Sequence, residues 1–366
     1  MGIRVSDPNN LRDSIDQFQA GNYINNLQTS ITNLNNSTNA SPPVKTTIEA
    51  NAAIVGSNIQ KVSDNLATLS NKPIAAEVGL ATVVAMPGKK YGAAFYASGT
   101  VIAGGVFNYN DAATLTAPTT GLSALAASCA ADAVVNVAAC NTLKNFNTNQ
   151  LTSGVHFKGV QLVEAGFALS REFQIYDHGV ALGITPKIVK AKLFDVTVKA
   201  NNSNQSNVSL NDNSTEYTFA NFDLGAAKNY SNGWRTGFVV KNVIPQTLDF
   251  RAAPGAPTES LKLMPQARIG VSHATTWSTV ALDVDLTRND PAGFENKTQY
   301  IALGGELNAW DWAQLRAGYR VDMVESARNV ASVGLGLAPF RVVHIDLAVA
   351  GNATDIGASF QLGVHF

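Results

Sequence analysis

From about residue 74 to its end the chain repeats with a period of two. In the last segment Ile356, Ala358, Phe360, Leu362, Val364 and Phe366 alternate with Gly357, Ser359, Gln361, Gly363 and His365. Val343, Ile345, Leu347 and Val349 do the same against His344 and Asp346, and Val280, Leu282, Val284 and Leu286 against Ala281, Asp283 and Asp285. Successive side chains of a strand point to opposite faces, so this pattern reads as strands and excludes helices from these segments. Candidate strands fall near 76–86, 92–108, 155–170, 178–199, 215–227, 234–243, 261–273, 276–287, 297–308, 311–321, 328–338, 340–350 and 355–366.

An apolar face on every strand must meet either a protein core or lipid, and the connections decide which. Along much of the chain they alternate between tight turns and longer polar stretches, the pattern of an up-and-down barrel with short periplasmic turns and long outside loops. The four tryptophans, Trp234, Trp277, Trp310 and Trp312, lie beside the tight turns with Tyr91, Tyr176 and Phe340, as expected of an interfacial girdle. Such a barrel needs an even number of strands, and Gly2 to Val5 supplies a short first one. The expected fold is therefore all-β: a transmembrane antiparallel up-and-down barrel of about fourteen strands in a bacterial outer membrane, its apolar rows against outer-membrane lipid. Composition agrees. Only 14% of the 366 residues are charged and 29 are Gly, while no uncharged apolar run approaches the roughly 20 residues of a membrane helix. A net charge of -1 without a basic run excludes a nucleic-acid binder. Met1-Gly2-Ile3-Arg4-Val5 runs straight into polar helix-like sequence without a secretory signal, so the expectation is either that a signal was trimmed for expression or that the protein is not exported.

Between the first strand (1–6) and the remainder of the barrel (73–366), residues 7–72 change period. Ile24, Leu27, Ile31 and Leu34, then Ile54, Val55, Ile59, Val62, Leu66 and Leu69, recur at three and four, with Pro42-Pro43 between them. The expectation is a helical hairpin carried as an insertion in the first outside loop. Its stripe is either its own packing or a docking surface, with Ile59, Val62 and Leu66 the partner-contact candidates.

On the strand phases, Arg268, Asp283, Asp285, Glu306, Arg316, Arg320, His344 and Asp346 point into the lumen, either as a mixed-charge network that braces the wall or as the lining of a solute path. No Gly-x-Ser-x-Gly elbow and no spaced Ser, His and Asp set suggests catalysis. His156, His178, His273, His344 and His365 are scattered singly, so no metal and no cofactor is expected. Pro186 and Pro265, inside candidate strands, would remove ladder donors and mark breaks in the wall.

The polar helical insertion, Gly183-Ile184-Thr185-Pro186-Lys187, the run Trp234-Arg235-Thr236-Gly237-Phe238-Val239-Val240-Lys241-Asn242, and a last strand ending in Phe366 together resemble the conjugal transfer TraF-like outer-membrane proteins. These are related in architecture to the FadL long-chain fatty acid channels and distinct from the thioredoxin-like protein that shares the TraF name. The resemblance covers most of residues 7 to 366. It implies a plasmid-transfer or secretion-associated barrel acting through conjugation or secretion proteins at 7–72 and 109–154, or alternatively a FadL-like channel taking up a hydrophobic small molecule, with ligand or detergent in its lumen. It also implies an N-terminal plug inside the barrel, for which nothing ahead of Gly2 provides.

Cys129 and Cys140 share one Ala- and Asn-rich stretch, and oxidising surroundings would join them, whereas reducing ones would leave two small buried hydrophobes. If 109–154 is exported, intact-mass analysis of unreduced protein should find no alkylatable thiol, and reduction should lower stability by roughly 2–3 kcal/mol. Two alkylated thiols in native protein would rule out the bond.

Overall fold

The computed structural model describes residues 1–88, 90–116, 137–175, 178–200, 213–251, 259–309, 312–338 and 342–365. Fourteen antiparallel strands close a barrel: β1 (Gly2–Ser6), β2 (Pro73–Met86), β3 (Tyr91–Asn108), β4 (Gly154–Ile175), β5 (His178–Lys199), β6 (Ser214–Asn229), β7 (Trp234–Lys241), β10 (Gln266–Ala274), β11 (Ser278–Asp285), β12 (Tyr300–Ala309), β13 (Ala313–Asp322), β14 (Val330–Leu337), β15 (Val343–Gly351) and β16 (Asp355–Val364). Each pairs with its neighbours in sequence, and β1 closes the ring by pairing with both β2 and β16. Two further strands, β8 (Gln246–Asp249) and β9 (Ser260–Leu263), form a separate hairpin between β7 and β10.

The alternation of the sequence becomes an outside and an inside. Leu80, Ile188, Val280, Leu303, Leu347, Val349, Ile356 and Leu362 stand exposed on the outer surface, a contiguous apolar belt that only a bilayer satisfies. Trp234, Trp277, Trp312 and Tyr91 are likewise exposed beside the tight turns, where amphipathic rings meet the membrane–water boundary. Trp310, Tyr176, Phe340 and Phe366 lie outside the described residues. This is the surface of an outer-membrane barrel; among the described residues no helix is long and apolar enough to cross a membrane.

The wall is uneven. From β7 round to β16 the strands have 8 to 10 residues, about the 9–11 that a tilted strand needs for one crossing, whereas β4 and β5 have 22 each. On β5 the outer row changes from Leu182, Ile184 and Ile188 to Lys190 and Lys192, which pair with Glu216 at 3.0 and 3.4 Å. The belt ends there, and β3 to β6 continue beyond it as a raised palisade.

The expected hairpin of residues 7–72 is corrected in number and in place. It is three helices, α1 (Leu11–Ala20), α2 (Tyr23–Thr38) and α3 (Lys45–Leu69), forming an N-terminal unit and not an outside loop. The stripes on these helices bury one another and continue into the barrel: Leu27, Leu34, Ile48, Val55, Ile59, Val62 and Leu66 share a core with Phe107 of β3 and with Leu115, Leu143 and Leu151 of the connection after it. Each such side chain contributes about 1.5–3 kcal/mol, enough for the unit to sit as a folded cap on the ends of β2 to β5. Asp7 starts α1 by accepting the backbone N–H groups of Leu11 and Arg12 at 2.7 and 3.1 Å.

Two other expectations change. The candidate strand 261–273 is cut at Pro265: Leu261 and Leu263 belong to β9, and the wall resumes at Gln266. Pro186 stays within β5, opposite Phe222 of β6, but the ladder toward β4 is interrupted between the pairs Gly166–Lys187 and Leu169–Ile184. The missing proline N–H accounts for the gap. The disulfide expectation for Cys129 and Cys140 concerns side chains outside the described residues.

The connection from β3 to β4 is anchored by Asp111. Its carboxylate accepts the Thr152 N–H at 2.9 Å, the Thr152 hydroxyl at 2.9 Å and the Ser153 N–H at 2.6 Å. Burial alone would raise its pKa, but the bonds from Ser153 and Thr152 prevail and hold it below the ordinary aspartate value. A lowered folded pKa stabilises above the unfolded value and is lost as pH falls through the folded one. Asp111→Asn should therefore destabilise the cap by about 1–3 kcal/mol at neutral pH, and the difference from wild type should shrink in acid below the ordinary aspartate range. Limited proteolysis of the 109–153 connection against pH measures it.

Candidate functional site

The lumen has two halves of different character. Toward the tight turns its inward positions are small: Gly183 on β5, Gly225 on β6, Gly237 on β7, Gly270 on β10, Gly304 on β12, Gly334 on β14, Ala348 on β15 and Ser359 on β16. Small side chains on these eight strands widen the vestibule, into which Glu306, Arg316, Asp346 and the half-exposed Arg268 also point. Toward the long connections the lumen is closed by chain that folds inward.

The first closing element is the β8–β9 hairpin. Leu248, Phe250 and Leu261 bury against Val160 of β4 and Ala191 and Leu193 of β5, so the apolar alternation of 261–263 meets the inner wall and not lipid. The hairpin is tied to β6 by polar contacts: Asn221 exchanges hydrogen bonds with the backbone of Ile244 at 2.8 and 3.0 Å, and the Tyr217 hydroxyl bonds the backbone of Asp249. The second element is the connection 286–299 between β11 and β12. It reaches β3 and β4, half the ring away, so it crosses the lumen as a strut. Gly293, with φ +121°, turns its tip, and a Cβ on Gly104 of β3 would stand 3.1 Å from the Phe294 nitrogen. Only glycine allows that approach without displacement.

Charges clamp both elements. Glu295 on the strut receives Arg4 of β1 through two parallel bonds of 2.9 and 2.7 Å and Arg328 at 2.9 Å. Arg4 also reaches Asp355 at 3.2 Å and Glu77 at 3.5 Å, so one guanidinium joins β1, β2, β16 and the strut. The Phe294 ring meets His156 edge-on at 5.1 Å and lies 5.3 Å from the Lys158 ammonium, which faces Phe250 at 5.2 Å. Lys158 is buried and pairs with Glu259 and Asp195, and His156 bonds Asp195 at 2.6 Å. Lower in the same wall Lys187 is buried between Glu164 at 3.3 Å and Asp223 at 3.0 Å, bracing β4, β5 and β6 beside the ladder gap.

Of the lumen candidates, Arg268 and Asp285 meet at 2.6 Å, and Arg316 joins Glu306 at 2.7 Å to Asp346. Asp283 faces Gly270, and His344 faces Gly363. Arg320 stacks over Tyr300 at 4.1 Å, and its Nε is buried without a hydrogen-bond partner. These candidates form separate clusters and no single site. Ile59, Val62 and Leu66 have no exposed surface; they hold α2 and α3 together, and a partner meeting this unit meets its outer faces. Among the described residues no group of three or more His, Cys, Asp or Glu is placed to hold a metal. Sequence reading passed over Arg4, Lys158, Lys187 and Glu295. The available signal was the pairing of charged residues on strands whose other inward positions are apolar, as in Lys158 beside Val160.

A closed fourteen-strand barrel with an N-terminal helical unit fits the family described as the F plasmid transfer operon protein TraF, whose profile matches residues 1–285. The chain belongs to that family. No curated protein matches the sequence. Among solved structures, the TraF-family chain is similar to a mutant of the monoaromatic hydrocarbon channel TodX (12% identity, 81% of this chain and 85% of that one, TM-score 0.47). It is also similar to the toluene transporter TbuX of Ralstonia pickettii (11% identity, 82% and 92%, TM-score 0.43) and to a porin mutant of Rh. blastica (10%, 80% and 91%, TM-score 0.33). Likenesses of this size carry no argument about what the TraF-family barrel does.

Lys187→Met would leave Glu164 and Asp223 facing each other without a cation. It should cost about 3–5 kcal/mol, read as a lower urea midpoint of the heat-modifiable folded band. Adding Glu164→Gln should recover part of the loss; no recovery would show that Lys187 does not act through that carboxylate.

Proposed function

We propose that this chain is an outer-membrane component of a plasmid-transfer or secretion apparatus and works through protein contacts of its helical unit and long connections. The observation that carries the reading is the strut. Among the described residues clamped chain crosses the lumen and narrows any route for a solute, and the same bracing suits a platform for other proteins. Membership of the TraF family supports the setting. The cap also has the build of a presented module, with its own core and an outer face carrying Ile54, half exposed on α3, and Lys61 one heptad later.

A second reading, an uptake channel for a hydrophobic small molecule, draws on a cavity of about 350 Å³ under α1 and α2, where Ile15, Phe18, Ile24 and Phe107 face a rim that includes Gln28 and Lys199. It lies at the seat of the cap and not in the vestibule, so a route would have to pass the β8–β9 hairpin.

Donor cells carrying Ile54→Glu with Lys61→Glu should transfer plasmid about tenfold or more less often, the loss expected when an exposed anchor of an interface is reversed in charge. The folded band should keep its wild-type abundance. Normal transfer from a folded barrel lacking residues 11–69 would reject the partner reading, and binding of toluene-like or acyl probes by wild type, abolished by Phe18→Asp, would favour uptake.

A further inference from the structure

The strut has the construction of a clasp and not of a core element. Among its residues Ala292 is buried, while the span is otherwise held at discrete points: Glu295 between Arg4 and Arg328, Phe294 against Gly104, His156 and Lys158, and an internal pair of Lys297 with Asp290 at 2.7 Å. Its two ends meet in a single bridge, Asn289 with Thr298. It touches the apolar cluster of the β8–β9 hairpin and the inner wall through Ala292, where the hairpin contributes Leu248, Phe250 and Leu261. The hairpin covers β4 to β6, and the helical cap covers the ends of β2 to β5. On the side of β12 to β16 and β1 the strut lies across the lumen and meets the β13–β14 connection through Glu325 and Arg328. Beneath it on that side lies a cavity of about 290 Å³ between Arg4, Glu77, Arg320, Ala348, Ala350, Gly357 and Ser359, continuous in lining with the small-residue vestibule.

We infer that the barrel is a latched pore: displacement of residues 286–299 opens an aqueous path for small hydrated ions along β12 to β16 and β1, and the Arg4–Glu295–Arg328 clasp holds that path shut. Glu77, Arg320 and Asp355 stand on its wall among small positions such as Gly79, Ala348, Ala350 and Ser359, and the Glu306–Arg316–Asp346 cluster continues the charged row on β12, β13 and β15. In lipid the wall is held by its own ladder of backbone hydrogen bonds, so the strut can leave without the barrel coming apart. Gly104 and Gly293 make the seating tight, Ala292, Phe294 and Asn296 add local contacts, and the Arg4–Glu295–Arg328 pairs tie the strut to the β1 side of the wall. This inference stands apart from the partner reading, since a platform protein need not conduct and a conducting one need not bind partners.

The test is ion conductance of the purified full chain in planar bilayers under potassium chloride. Wild type should be closed most of the time. Glu295→Gln removes the charge from the clasp, and Gly104→Val pushes the strut from its seat. Each should raise open probability about tenfold or more, since every ~1.4 kcal/mol of lost hold is a factor of ten in the closed-to-open equilibrium. In a background with Cys129→Ser and Cys140→Ser, the pair Gly104→Cys and Phe294→Cys should stay closed when oxidised and conduct after reduction. Heat modifiability on gels confirms that each variant is a closed barrel. Folded Glu295→Gln and Gly104→Val proteins with wild-type conductance would overturn the inference. So would a cross-linked pair that conducts equally before and after reduction, or a wild type that is already steadily open.

Discussion

Closure of the backbone ladder is the constraint on which the rest depends. In a bilayer an unpaired N–H or carbonyl has no water to turn to, so a sheet crossing it must end where it began. Here the ring is completed by a strand of five residues, Gly2–Ser6, which pairs with β16 on one side and β2 on the other. Its alternation is as strict as that of the longer strands: Ile3 and Val5 face lipid, while Arg4 faces in. The shortest wall element thus carries the side chain that gathers β2, β16 and the strut.

Closure alone would leave a wide tube, because the inward positions near the tight turns are mostly Gly, Ala and Ser. The chain fills the other half by two different means. The β8–β9 hairpin is glued by apolar burial onto β4 and β5, and the strut is clamped by charge across the diameter. The extra height of β3 to β6 serves the first of these, since the inward row Val160, Ala191 and Leu193 that receives the hairpin lies beyond the outer apolar belt.

Most of the wall was legible because lipid on one side and a polar lumen on the other impose the cleanest possible period of two. Twelve of the thirteen strands read from the alternation lie close to where it put them, and the first, Gly2–Ser6, stands where the need for an even count placed it. The failure at 261–273 is instructive: Leu261 and Leu263 alternate like a lipid row, but they face an apolar inner wall, and period carries no information about which apolar surface a strand meets. The helical stripe carries the same ambiguity, and of its two readings the structure bears out self-packing. Ile59, Val62 and Leu66 have the spacing of a docking face and of a core alike, and only the neighbouring α2 decides between them. The strut was read as a plain connection because Asp290-Pro291-Ala292-Gly293-Phe294-Glu295 has no periodicity; its partners, Arg4, Gly104 and Arg328, are far away in sequence, and the contact exists only once the sheet has curved back on itself.

The position of Arg4 has a further consequence for assembly. The first strand is flanked by β2 on one side and β16 on the other, and it carries Arg4 to Glu77, Asp355 and Glu295. A barrel open along the β1–β16 seam would lose the Asp355 contact that steadies this guanidinium. The seam of the wall and the clasp on the strut therefore share one side chain.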